Sequence, residues 1–381
     1  MLLGFKTELH PNNQQKTLLA KHAGVARHAY NWGLWLTKNI LNHNSNNPGN
    51  KLKFPSAIDL HKLLVAMVKP NNCWYYEVSK TAPQYALRYL SVAWERCFSK
   101  VSGQPKFKKK GRDDSFTLDG AISVDFNLIK LPRIGWVKTF EILPDNATPK
   151  SVTITKVSDR WLISFKIETA TINTDKSVDV VGVDLGVKSL ATLSTGEVFV
   201  GAKSYRKYEA KLSRLQYLNR HKTKFSNNWK KAQLKIARLH SKIANIRKDT
   251  LHKLTTYLAK NHSQIVIEDL NVSGMMSNHK LAKAVADMGF YEFRRQLEYK
   301  CELYGSQLIT VDRWFPSSKT CSNCGTVKES LLLSERIFNC ERCNFSCDRD
   351  LNAALNLAMA GSSSVTACGL DNADVARMKQ E

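Results

Sequence analysis

Apolar and polar positions change period several times along the chain. Residues 2–9 (LLGFKTEL) read as one short strand, stopped by His10-Pro11-Asn12. From Gln14 to about Lys100 the apolar residues recur at helical spacing, in LLAKHAGVARHAYNWGLWL and again in APQYALRYLSVAWERCF, with a Pro/Asn-rich break at NHNSNNPGN. Aromatic residues on these stripes (Tyr30, Trp32, Trp35, Tyr85, Tyr89 and Trp94) are expected mostly in the core. Residues 103–112 (GQPKFKKKGR) hold five basic residues and no acid, which predicts a loop facing phosphate. Over 115–169 short β-rich runs return, separated by turn residues, as in a small antiparallel barrel. The simplest arrangement gives that barrel the first strand, separated from it by a helical insertion.

After the polar linker TINTDKS the pattern becomes three short strands, VDVVGVDLGV, SLATLS and EVFVG. Two long basic helices follow (about 204–225 and 228–260), then the buried strand QIVIEDL, a Gly/Ser/Met loop, a helix over roughly 281–303 and the strand SQLITVDRW. Strands, helices and strands again make an α/β domain. A cysteine cluster interrupts it and the helix LNAALNLAMA closes it, leaving an expected flexible tail over 361–381.

Composition adds size and partner. The chain has 381 residues, 43% of them apolar, enough for two or three domains with their own cores. No apolar run approaches the roughly 18 residues of a bilayer span, so no membrane partner is expected, and MLLGFKTELHPNNQQ lacks a signal-peptide apolar core. A soluble cytoplasmic protein is the expectation. The 57 Lys and Arg against 33 Asp and Glu give a net charge of +24. Such an excess repels itself in a compact fold and is normally neutralised by a polyanion. Residues 201–260 carry +15 of it, with Glu209 and Asp249 their only acids. Leu212, Leu215, Leu218, Leu234, Leu239, Ile243, Leu251, Leu254 and Leu258 form an apolar stripe there, expected to pack and leave the opposite face to nucleic acid. Candidate phosphate contacts are Lys106, Lys108, Lys109, Lys110 and Arg112 in the loop, and Lys211, Arg214, Lys222, Lys224, Lys230 and Lys231 on the helices.

Five of the nine cysteines fall within 27 residues. Cys321-Ser-Asn-Cys324 and Cys340-Glu-Arg-Cys343 form two knuckles, and four thiolates so spaced suit one structural, tetrahedral Zn²⁺. Gly325 relieves the turn after the first knuckle, and Cys347 stays outside the set.

Carboxylates also stand where buried strands should carry none: Asp184 on the face of Gly182, and Glu268 on the face of Val266, with Asp269 turned the other way. Unpaired, each costs several kcal/mol, on the order of a buried charge without a cation. Asp348 and Asp350 open the last helix, where one of the two is expected to be its cap. Two strand acids and one helix-start acid can converge on two Mg²⁺ ions about 4 Å apart, which activate water against a phosphodiester.

Taken together, VGVDLGVKSLATLSTG, IVIEDLNVSGM, RWFPSSKTCSNCG and DRDLNAALN, with FKKK and RHAYNWGL before them, resemble the TnpB proteins of insertion sequences, relatives of the type V CRISPR effector nucleases. The resemblance spans about residues 1–360. It implies an RNase-H-like RuvC nuclease domain (173–320 and 344–360) with a zinc-ribbon insertion (321–343). Before it would stand a wedge-type β-barrel (1–10 and 103–172) carrying an inserted helical recognition domain (11–102). It also implies a Mg²⁺-dependent DNA endonuclease with a guide RNA from the transposon end, target DNA beside a short flanking motif, and Asp184, Glu268 and Asp350 as catalytic metal ligands; the sequence leaves the oligomeric state open, with a monomer favoured. Asp348 is then the cap. A nuclease-inactive, RNA-guided regulatory zinc protein is the alternative, and the intact acid triad stands against it.

Overall fold

The computed structural model describes residues 1–112, 114–144, 147–332 and 334–370, the last eight by their backbone only. Two compact units divide the chain, Met1–Thr169 and Ala170–Glu381.

In the first unit, β1 (Leu2–His10) leads into α1 (Asn13–Asn46). Asn12 caps this helix: its side chain accepts from the Gln15 amide at 2.9 Å while the Gln15 side chain accepts from the Asn12 amide at 3.0 Å. A short α2 (Ala57–Leu63) runs on through a π-helical turn, and α3 (Thr81–Phe98) completes the helical part. Six further strands follow: β2 (Ser115–Asp119), β3 (Ser123–Asp125), β4 (Leu128–Leu131), β5 (Gly135–Thr139), β6 (Ser151–Val157) and β7 (Arg160–Glu168). The sheet order is β2-β6-β7-β1-β5-β4-β3, so β1 lies in the middle, paired antiparallel with β7 and β5 across the helical insertion. The expected barrel is not formed. The sheet is open, because no ladder among the described residues joins its outer strands β2 and β3, and β3 offers only three residues for one. Of the helical aromatics, Tyr30 and Trp94 are buried, whereas Trp35 and Tyr89 are exposed.

The second unit begins with β8 (Val178–Asp184), β9 (Ala191–Leu193) and β10 (Val198–Phe199). The basic helices α4 (Ser204–Arg220) and α5 (Asn227–Asn261) lead to β11 (His262–Glu268). Then come α6 (Val272–Ser277), α7 (Ala282–Met288), α8 (Phe290–Tyr304) and β12 (Gln307–Val311), a two-stranded ribbon of β13 (Ile337–Asn339) and β14 (Ser346–Asp348), and α9 (Arg349–Leu370). The sheet order is β10-β9-β8-β11-β12, with β8, β11 and β12 parallel. Its core joins Val181, Val183, Ile265 and Ile267 to Leu251, Leu254 and Leu258 of α5 and Phe293 and Leu297 of α8.

Four local expectations change. The Gly/Ser/Met loop is the short helix α6, capped by the Asn271 side chain. The single helix expected over 281–303 is two, split at Gly289, whose φ of +77° no L residue adopts cheaply. Leu218 leaves the apolar stripe and is 48% exposed, beyond the small core of Leu212, Ile236, Leu239 and Ile243 that joins α4 to α5. The last helix continues past Ala360 to Leu370, and residues 371–381 of the expected tail lie outside the described residues. Among the described residues, no helix is long and apolar enough to cross a membrane.

Candidate active site and metal centre

Strands β8 and β11 pair in parallel with Val183 beside Ile267, so they end level, on Asp184 and Glu268. Period-2 alternation puts both acids on the face of Gly182 and Val266. Helix α9 crosses that face at close range. A Cβ on Gly182 would sit 1.9 Å from the Ala354 carbonyl oxygen, and one on Gly361 would sit 2.4 Å from Val266 Cγ2. Glycine at these two positions lets the helix lie against the strands, which brings its first turn, with Asp350, to the ends of β8 and β11.

The charges respond to this convergence. Burial, then the charges of Glu268, Asp350 and Asp348, raise the Asp184 carboxyl to about 7, against a lowering influence from Arg349. Glu268 accepts a hydrogen bond from Ser317 Oγ through Oε1. Asp350 meets Arg349 at 3.4 Å. Asp348 plays a different part, since its Oδ1 accepts from the amides of Asp350 at 2.9 Å and Leu351 at 3.2 Å, the bonds of a helix cap. Asp269 is paired with Arg313 and, at 2.5 Å, with Arg294, and these two guanidiniums hold its carboxyl below the usual range. Three carboxylates with one arginine beside them are hard oxygen donors of the kind divalent cations take, although their oxygens are not drawn together as tightly as the cysteine sulfurs.

The four knuckle cysteines are drawn together more tightly. Their sulfurs all lie within 4.8 Å of one another, with Cys321 to Cys343 and Cys324 to Cys340 both at 3.6 Å. Zn–S bonds of about 2.3 Å in a tetrahedron put sulfurs about 3.8 Å apart, so the set fits zinc. Each knuckle closes on a residue in the left-handed region, Gly325 at φ +72° and Asn344 at φ +57°. Hydrogen bonding with Thr326 pulls the Cys324 thiol down to about 6, toward the thiolate a metal needs. Among the described residues no other group of three or more His, Cys, Asp or Glu is gathered this way.

Sequence reasoning missed two asparagines. Asn352 and Asn356 are buried on α9, four residues apart in its apolar stretch LNAALNLAMA. Asn352 donates to the Thr320 carbonyl at 2.6 Å and accepts from the Ser322 amide at 3.0 Å; Asn356 donates to the carbonyls of Ser317 at 2.7 Å and Thr320 at 2.6 Å. Amides inside an apolar stripe are the signal that pointed to them. Also missed is Asp287 of α7, buried and accepting from the amides of Tyr205 at 2.9 Å and Arg206 at 3.3 Å, which caps α4 from a distance. Lys203 before α4 is left-handed and provides no side-chain cap of its own.

The basic candidates separate by exposure. Lys106, Lys109, Lys110, Arg112, Lys211, Arg214, Lys224, Lys230 and Lys231 are exposed, and Lys108 and Lys222 are half-buried. Lys108 extends over the Tyr30 ring, and both its backbone polar groups are held by Asn31 at 2.8 and 3.0 Å.

Comparison with known proteins follows these landmarks. Residues 163–279, spanning β8 to α6, match the IS605 OrfB family, described as "Probable transposase", and residues 290–357, containing the knuckles, match a Cas12f1-like TNB domain. Residues 1–45 match a helix-turn-helix domain, although here they fold as a strand and one long helix. The chain is 36% identical to InsQ of Escherichia coli strain K12, provisionally named an RNA-guided DNA endonuclease, over 97% of this chain and 94% of that one. It is also 36% identical to a protein of Streptomyces pristinaespiralis provisionally named the same way, over 96% and 90%. Its fold is shared with the mini-RNA-guided endonuclease CRISPR-Cas phi3, at a TM-score of 0.51 and 11% identity, over 94% of this chain and 92% of that one. Sequence identity of 36% over nearly the whole length of both bacterial relatives places the chain in the TnpB family.

Proposed function

We propose that this protein is an RNA-guided endonuclease that hydrolyses phosphodiester bonds in target DNA, using divalent cations held by Asp184, Glu268 and Asp350 in an RNase-H-like, RuvC-type domain. One observation carries the reading: Asp184 ends a central strand of a TnpB-family chain with its carboxyl raised to about 7 by burial and the two other acids. Nothing in the packing needs three acids there. A cation site does.

The acids' part is to bind and orient. Asp184 and Glu268 present their oxygens from the rigid ends of adjacent strands, and Asp350 from a helix start fixed by the Asp348 cap. Mg²⁺ bound there would lower the pKa of an attacking water and neutralise charge on the leaving 3′ oxygen. Exposed lysines and arginines on α4 and α5 would hold the phosphate backbone, and base pairing with the guide would supply most of the sequence reading. The knuckle cysteines would hold a structural zinc.

Asp184→Ala, Glu268→Ala and Asp350→Ala are each expected to lower Mg²⁺-dependent cleavage by about a thousandfold or more, while guide and target binding stay as in wild type. Full cleavage by one variant removes that residue from the site. Absence of any nicking by the guide-loaded wild-type protein would favour a nuclease-inactive, regulatory role. Sequencing the RNA that copurifies with the protein identifies the guide.

A further inference from the structure

Both ends of the zinc ribbon reach the acid cluster. Its exit strand β14 runs directly into Asp348, Arg349 and Asp350, and the Arg349 amide is tied back to the Arg336 carbonyl at 2.8 Å. At its entry, before Cys321, Ser317 hydrogen-bonds Glu268. Ser317 is 4% exposed, and its own carbonyl is held by Asn356. The same asparagine holds Thr320, the residue before the first zinc-knuckle cysteine, and Asn352 fastens both Thr320 and Ser322. A tight turn at Pro316 links the two anchor points, with the amides of Lys319 and Thr320 each 3.0 Å from the Pro316 carbonyl oxygen.

We infer that Ser317 is a positioning residue for Glu268, and that the zinc ribbon, fastened to α9 through Asn352 and Asn356, sets the placement of that acid in the cation site. The inference rests on the nuclease reading above. A flexible glutamate at a strand end samples several rotamers. The Ser317 hydroxyl fixes one by occupying Oε1, and among the described residues Oε2 has no protein partner, so one oxygen is oriented and the other left for a cation. The serine cannot shift independently, since the Asn356 amide fixes its backbone and that amide belongs to the helix carrying Asp350. Two acids of the cluster are thereby referenced to one helix: Asp350 directly, Glu268 through the entry of the ribbon.

The test uses the full-length chain with three single variants, Ser317→Ala, Ser317→Thr and Glu268→Gln. Mn²⁺ binding is followed by electron paramagnetic resonance without nucleic acid, alongside zinc content, target binding and the Mg²⁺ dependence of guided cleavage. Removing the partner that orients a metal ligand costs about 10- to 100-fold in metal affinity. Ser317→Ala is expected to weaken Mn²⁺ about tenfold and to raise the Mg²⁺ needed for half-maximal cleavage similarly, with zinc content and target binding unchanged. Ser317→Thr keeps the hydroxyl and is expected to restore both. Wild-type Mn²⁺ affinity in Ser317→Ala would overturn the inference, as would equal impairment of the Ala and Thr variants, which would mean packing and not the hydrogen bond. Glu268→Gln separates the two levels: if it cleaves normally, the acid assignment itself is wrong, whereas an inactive Glu268→Gln beside an unaffected Ser317→Ala removes only the role of the serine.

Discussion

The four cysteine sulfurs lie within 4.8 Å of one another on two turns of nearly the same design, whereas Asp184, Glu268 and Asp350 come from two strands and a helix, are not gathered so tightly, and share one end of the sheet because α9 packs on Gly182. The thiols sit on locally formed knuckles, each closed by its own left-handed residue, and Cys324 is already eased toward its ionised form. In the acid cluster burial, and after it the charges of Glu268 and Asp350, make the charged state of Asp184 harder to reach, as burial also does for the Cys321 thiol among the knuckles. A closed cluster whose geometry suits its ion is a structural device. On the proposed function, an open cluster that opposes its own ionisation stores a cost that a bound cation would remove, where a substrate phosphate would also need one.

The largest effect expected from this contrast is on the cysteine side. Cys324→Ser should reduce zinc from one ion per chain to a small fraction of that, and destabilise the second unit by several kcal/mol, on the scale of a lost structural zinc. Metal analysis and thermal melting check it, and unchanged zinc content would mean the knuckles bind no metal. Next in size, Gly182→Ala should lift α9 from β8 and cost about 3 kcal/mol, because the new methyl meets backbone and not a movable side chain. This variant sharpens the comparison: zinc content falling together with cleavage would show that the knuckles depend on their seat on α9 through Asn352 and Asn356, and unchanged zinc content that they form without it.

Asp184→Asn should act in the opposite sense on stability. With its carboxyl raised from 3.8 to about 7, folded Asp184 keeps a proton between those values that the unfolded chain has released. Its contribution to stability is therefore fully present only below about pH 4 and is lost as pH rises through 7. The neutral amide should stabilise the Mg²⁺-free protein by roughly 1–4 kcal/mol at pH 8 and by less at pH 5, while cleavage disappears. Urea melts at both pH values decide it, and equal gains at the two would show that the carboxyl is not raised. The smallest expected effect separates cap from ligand: Asp348→Ala should cost about 1 kcal/mol and leave most cleavage. Loss of cleavage as complete as in Asp350→Ala would move Asp348 into the cation site.

Local patterns were legible in the chain; long-range fits were not. The knuckle spacing needs only two turns, and the strand acids stand out because their neighbours are β-branched, so Cys321, Cys324, Cys340, Cys343, Asp184 and Glu268 can be picked out from a few residues each. Whether a sheet closes depends on its outer strands, and nothing in a three-residue strand such as β3 announces that. The break at Gly289 was hidden because the apolar spacing continues through it. Asn352 and Asn356 passed as ordinary members of a helix until the carbonyls they hold were placed beside them. Asp287 lies so far along the chain from the helix it caps that no capping pattern could connect them.

That remote cap also shows where this protein is easiest to change. The α4–α5 hairpin is fastened at its base by Asp287 and by Ser204, whose hydroxyl lies 3.0 Å from the Ile243 carbonyl oxygen, and its own small core ends near Leu215 and Ile236. Arg220, Lys222, Lys224, Lys230 and Lys231 all lie between those two residues, beyond the exposed Leu218, with Asn219 still buried among them. On the proposed function, changes of charge at this tip would alter the hold on a phosphate backbone while leaving the acid cluster alone, which makes it the natural dial for an engineer.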